Sequence, residues 1–243
     1  MTYCVGLNLE EGLILASDSR TNAGVDDIGR FGKMRVIAED GERVIVTLSA
    51  GNLSVSQNAL NRLGQRARHA PSQLGVHNAG SMFEVATLLG DAMREIRGRD
   101  AAYLKASGID PGATFILGGQ IRGEAPRLFL VYSEGNFIEN SDETPFFQTG
   151  ETKFGKPILD RVIDSGTSLV EATKCVVVSF DSTIRSNLSV GPPIDLLVYR
   201  RDSLRVQVQR RMGEDDPYYT TVRKQWNDSL RAAIAELPHP DWL

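Results

Sequence analysis

Apolar side chains occupy every second position of Thr2-Tyr3-Cys4-Val5-Gly6-Leu7-Asn8-Leu9, the period of a β-strand. Glu10-Glu11-Gly12 reads as a turn, and Leu13-Ile14-Leu15-Ala16 as a short buried return. Together they predict a hairpin that begins at the second residue, although chain termini usually fray unless something ties them down. After Asp18-Ser19-Arg20-Thr21-Asn22-Ala23-Gly24 the pattern becomes loop, and Met34 to Ile37 and Val44 to Leu48 then predict two further strands. The period then changes. Val55, Ala59, Leu63 and Ala67 recur at four-residue spacing, which fits a helix from about Asn52 to Arg68. Ser81 with Glu84 forms a capping box ahead of an amphipathic stripe of Met82, Val85, Ala86, Leu89, Met93 and Ile96.

Strand patterning returns at Thr114 to Leu117 and Leu128 to Tyr132, with Ser133 to Asn136 turning the chain into Phe137-Ile138. A second capping box, Ser168 with Glu171, precedes Leu169, Ala172, Val176 and Phe180, although Val176-Val177-Val178 is a β-branched run that resists helix. Ile194 to Tyr199 and Val206 to Val208 predict a closing strand pair. Finally, Tyr218, Val222, Trp226, Leu230 and Ile234 share one face of a helix ending near Leu237. Strands in consecutive hairpins and helices in groups point to an α+β fold of antiparallel sheets with helices outside them. No Pro/Ser/Gly-rich linker and no internal repeat divides the chain, so residues 1–243 read as one domain.

Composition narrows the class. The chain has 243 residues, 41% hydrophobic and 24% charged, which suits a folded globular protein. A formal charge of −4 gives no reason to expect nucleic acid or an anionic membrane as partner. The longest apolar run, Leu128 to Tyr132, falls far short of the roughly 20 residues of a spanning helix. No Lys or Arg precedes Arg20, so the start does not read as a signal peptide, and a cytoplasmic protein is expected. His69, His77 and His239 lack neighbours at metal-ligand spacing, and Gly118-Gly119 lacks a phosphate-loop pattern, so neither metal nor cofactor is expected. Cys4 and Cys175 read as packing residues, and Arg94, Arg97 and Arg99 as a helix-end patch.

Candidate chemistry starts at Thr2. A free terminal threonine carries a hydroxyl nucleophile and, on the same residue, an α-amine of pKa about 7.7–8.0 that can act as its base. Thr2 becomes terminal if the initiator Met1 is trimmed, and a strand from Tyr3 would hold it in place. Asp18 would return beside the start of the first strand, where its carboxylate could orient a cation; alone, it also suits a polar turn. Lys33 could lower the pKa of the amine, or simply be a solvated lysine. Ser49-Ala50-Gly51-Asn52 offers backbone N–H groups to an oxyanion, or an ordinary strand-to-helix turn.

In this order, Thr2, Glu10-Glu11-Gly12, Ala16-Ser17-Asp18-Ser19-Arg20, Lys33 and Ser49-Ala50-Gly51 resemble the proteasome β-subunit family. Val131 to Asn136 and Arg185 to Gly191 continue the likeness, which covers roughly residues 2–200. Ser19 to Gly24 and Gly150-Glu151-Thr152-Lys153-Phe154-Gly155-Lys156-Pro157 are most similar to its bacterial ancestral β-subunit (Anbu) branch. The resemblance implies an N-terminal-nucleophile hydrolase fold, a four-layer αββα sandwich, with residues 213–243 as a C-terminal helical extension. It implies amide-bond hydrolysis through an acyl-enzyme on Thr2, supported by Asp18, Lys33 and Ser189, with the Gly51 N–H in the oxyanion hole. It further implies assembly with copies of the chain around a peptide or amide substrate.

Three positions depart from the pattern. Lys33 is one residue closer to Asp18 than is usual, Glu151 stands where many members carry serine, and Ser186 stands where they carry aspartate three residues before Ser189. The nucleophile's immediate set is kept while Glu151 and Ser186 alter its surroundings. Two other functions therefore stand beside peptide cleavage: a scaffold subunit that does not cleave, and an amidohydrolase for a non-standard amide.

Overall fold

A computed structural model describes residues 1–22, 28–69 and 73–242 of the chain. The elements follow in the order β1 (Tyr3–Leu9), β2 (Gly12–Asp18), β3 (Arg20–Asn22), β4 (Ile28–Arg30), β5 (Met34–Glu39), β6 (Arg43–Gly51), α1 (Leu53–His69) and α2 (Met82–Ala106). Then come β7 (Ala113–Ile121), β8 (Arg127–Val131), β9 (Phe137–Glu139), β10 (Phe146–Gly150), α3 (Lys156–Val162), α4 (Leu169–Ser186), β11 (Ile194–Arg200), β12 (Val208–Met212) and α5 (Pro217–Ala235).

Two five-stranded antiparallel sheets result, ordered β10-β1-β2-β11-β12 and β5-β6-β7-β8-β9. The strand period sorts side chains between layers. Tyr3, Val5, Leu7, Ile14 and Ala16 face α3, α4 and α5, whereas Cys4, Leu13 and Leu15 meet Val46, Leu48 and Ile116 of the other sheet. A third core joins that second sheet to α1 and α2 through Val55, Leu63, Leu89 and Phe115. The architecture is thus helices, sheet, sheet, helices, the α+β sandwich expected of the sequence. Gly6 lets the sheets approach, since a Cβ there would lie 2.7 Å from Ile116 Cγ2.

Several details differ from the pattern-based expectation. Ile28–Arg30, within the loop expected after Gly24, pairs with Arg20–Asn22 as a small antiparallel ladder; residues 23–27, Ala23 and Gly24 among them, lie outside the described residues. Strand β10 and helix α3 are not predicted, being short and weakly periodic. The last strand runs from Val208 to Met212 rather than from Val206 to Val208. It is an edge strand of mostly charged and polar residues, whose Arg211 pairs with Asp195 at 3.3 Å. Helix α4 forms despite its three valines, because Ser168 Oγ accepts the Glu171 N–H and Val176 and Val177 are fully buried. In α5 the anchor is Tyr219, 1% exposed, and not Tyr218 as the four-residue spacing suggests. Asp216 caps the helix by accepting both the Tyr218 and Tyr219 N–H groups, which sets its phase.

Candidate active site

The site is built around one peptide unit, that joining Thr2 to Tyr3. Its carbonyl accepts the Glu151 N–H at 2.6 Å, and its N–H donates to Asp18 Oδ1 at 3.0 Å. Antiparallel pairing places both partners, since Tyr3 opposes Gly150 while Cys4 opposes Ser17. Gly150 adopts φ +87°, and a Cβ there would sit 2.0 Å from the Thr2 carbonyl oxygen. The residue that ends β10 must therefore be glycine for Thr2 to be held as it is. Behind Thr2, the Tyr3 hydroxyl donates to Ser179 Oγ at 3.0 Å and accepts from Gln148 at 2.7 Å, tying the strand to α4. Burial pushes the Tyr3 phenol up to about 12.

Asp18 is fully buried at the end of β2. Besides Tyr3, its carboxylate accepts Lys33 Nζ at 2.6 Å and the Gly191 N–H at 3.4 Å. Burial pushes its carboxyl up, while the Lys33 ammonium and the two N–H groups pull the other way. Lys33 is itself 5% exposed and donates also to the Arg20 carbonyl at 2.6 Å. The solvated-lysine reading of Lys33 and the polar-turn reading of Asp18 therefore do not hold. The Lys33 carbonyl in turn accepts the Ser49 N–H at 3.1 Å, joining the pair to the end of β6. Two residues on, Gly51 ends that strand at φ +94°, where a Cβ would meet the Gly112 carbonyl at 2.4 Å.

The remaining candidates separate. Glu151 is buried, and its carboxylate accepts the Asn187 amide at 2.9 Å and the Lys153 N–H at 3.3 Å. Asn187 Oδ1 accepts the Ser189 N–H at 2.9 Å, so Glu151, Asn187 and Ser189 form one chain beside Thr2. Ser186 is the exposed last residue of α4 and takes no part in the contacts of that chain. Sequence reasoning missed Asn187. Its signal was present, an asparagine just past a helix and two residues before the N–H it accepts, the pattern of an Asx turn.

A cavity of about 690 Å³ adjoins the pair, lined by Lys33, Arg35, Ser49, Leu53, Gln57 and Asn61 among others. The Cys4 thiol, its pKa raised by burial, donates to the Ser49 carbonyl and packs between the sheets. His77 pairs with Glu39 at 2.7 Å, and among the described residues no cluster of His, Cys, Asp and Glu could hold a metal. Arg94 and Arg99 pair with Asp91 and Asp100, and Arg97 donates to the Ser133 carbonyl. No described helix is long and apolar enough to cross a membrane.

No family model matches the chain. Solved structures do. Anbu (ancestral β-subunit) from Yersinia bercovieri is 46% identical, with 98% of each chain covered and a TM-score of 0.93. The helical assembly of the Anbu complex from Pseudomonas aeruginosa gives 47% identity over 98% of each chain, again with a TM-score of 0.93. The chain belongs to the Anbu family. The curated proteasome β-subunit of Haloferax volcanii is 24% identical over 208 residues, covering 85% of this chain and 76% of the relative. The likeness to Anbu runs nearly end to end, so it includes α5 as well as the sheets that carry Asp18, Lys33 and Glu151.

Proposed function

We propose that this Anbu-family chain is a terminal-threonine hydrolase that cleaves amide bonds once Met1 is removed. The observation that carries the reading is the clamped Thr2–Tyr3 peptide with a buried Asp18–Lys33 pair against it. A charge pair so placed fixes the nucleophile's backbone through the Asp18 carboxylate, which Lys33 in turn holds in position. Met1 is 63% exposed, open to an aminopeptidase, and while it remains the Thr2 nitrogen is a non-basic amide. In the mature chain the Thr2 α-amine takes the hydroxyl proton as Oγ attacks the substrate carbonyl. The Gly51 N–H stabilises the oxyanion, and the protonated amine gives its proton to the leaving nitrogen. Water, deprotonated by the same amine, then hydrolyses the ester and restores the hydroxyl. Ser189 supports the site from the Asn187 turn.

The chain acts in a homo-oligomer, a reading supported by the helical assembly named for the Pseudomonas aeruginosa relative. It works in the cytoplasm on a peptide or similar amide. The test is intact mass before and after an electrophile that traps terminal threonines, with the adduct located by peptide mapping. Loss of Met1, one adduct on Thr2 and no adduct in Thr2→Ala support the proposal. A free Thr2 left unmodified in assembled particles overturns it in favour of a scaffold subunit.

A further inference from the structure

We propose that the cavity beside Lys33 selects an acidic substrate side chain, with Arg35 as the residue that recognises it. The inference rests on the terminal-threonine reading, because the cavity shares Lys33 with the Asp18 pair. Its walls are Gly32 and Lys33 with the start of β5, Met34 to Val36, and the first turns of α1, with Ser49 between them.

The charge of the lining is one-sided. Among the described residues it holds Lys33 and Arg35 and no Asp or Glu. The Lys33 ammonium is already taken up by Asp18 and the Arg20 carbonyl, both at 2.6 Å. Arg35 is exposed and has no carboxylate or carbonyl partner among the described contacts, so its guanidinium is the charge left to offer a ligand. Gln57 and Asn61 lie one turn apart on α1 and add two side-chain amides with no partner among those contacts. Leu53 and Leu60 supply apolar surface for a methylene stem. Leu53 also opens α1, whose N-terminal dipole adds positive potential at the same wall. A planar guanidinium, amide donors and a short apolar wall fit the carboxylate of a glutamate or aspartate side chain, and repel lysine.

Two measurements test this. Peptide epoxyketones that differ only in Glu, Gln or Lys next to the reactive carbonyl are compared by their rates of Thr2 modification. Fluorescent peptides bearing the same three residues are titrated by anisotropy against Thr2→Ala, which reads the cavity without chemistry. The Glu probe is expected to react and bind about fivefold better than Gln, the upper range for a partly exposed ion pair. Salt reduces the difference, Arg35→Met abolishes it, and Arg35→Glu inverts it toward Lys. Equal behaviour of the three probes, or a Glu preference that survives Arg35→Met, overturns the assignment and leaves the nucleophile standing. A Glu preference in anisotropy without any Thr2 modification upholds the cavity's selectivity and overturns the hydrolase reading. Neither modification nor a Glu preference in binding overturns both.

Discussion

Asp18 and Lys33 face each other with almost no water contact, so neither charge is tolerable without the other. Removing one member of a buried pair strands its partner, at a cost of about 3–5 kcal/mol. Removing both replaces the pair with neutral groups and avoids most of that cost. Lys33→Met is therefore expected to lower the denaturant midpoint sharply, and Lys33→Met with Asp18→Asn to recover a large part of the loss. Thr2 trapping by an electrophile stays absent in both. A double variant no more stable than the single one would mean that the pair's hydrogen bonds to Tyr3, Gly191 and Arg20 matter more than its charges. A double variant that still traps electrophile would remove Asp18 and Lys33 from the chemistry.

Among the elements, β10 has an importance that its five residues do not advertise. Its last residue, Gly150, combines φ +87° with a carbonyl 2.0 Å from where a Cβ would go. Gly123 has a similar φ of +94° and open space around it. Gly123→Ala is expected to cost about 1 kcal/mol, from backbone strain alone. Gly150→Ala adds a clash with the Thr2 carbonyl, and should cost about 3 kcal/mol and slow Thr2 trapping as well. Thermal melts and trapping rates of the two variants, side by side, separate the contact from the strain. Equal costs and unchanged trapping would show that β10 does not hold the nucleophile. That strand also marks the limit of what the sequence discloses. Helices α1 and α2 were legible because each buries one face and leaves a regular period, and the β1–β2 hairpin, β5 and β6 because runs of apolar strand formers are set off by turn residues, even though β1, β2 and β6 are buried on both faces. Asp18 and Lys33 were legible as candidates by their places at strand ends. Strand β10 was not legible, since its pairing with β1 joins residues about 145 apart and leaves no local signature. Asn187 was missed for a related reason: its role depends on Glu151, 36 positions away.

At the level of the whole molecule, three cores divide the burial among the described residues, and α5 reaches only one of them. Tyr219 enters the core beneath α4, with Arg223 above its ring and bonded to Asp181 at 3.1 Å. From Asp228 to Trp242 every residue is exposed, including Leu230, Ile234, Leu237 and Trp242. The helix thus has an anchored half and a half that buries nothing within its own chain. Tyr219→Ala is expected to cost about 3–5 kcal/mol, the price of a large cavity in a closed core. Deleting residues 229–243 should change the stability of a dilute chain by less than about 0.5 kcal/mol, since none of the described residues it removes is buried. Denaturant unfolding at two protein concentrations distinguishes the possibilities. A deletion that destabilises equally at both would place intramolecular contacts in the distal half and contradict the division. One that destabilises only at the higher concentration would assign those four apolar side chains to a contact between copies, because only association makes stability depend on concentration.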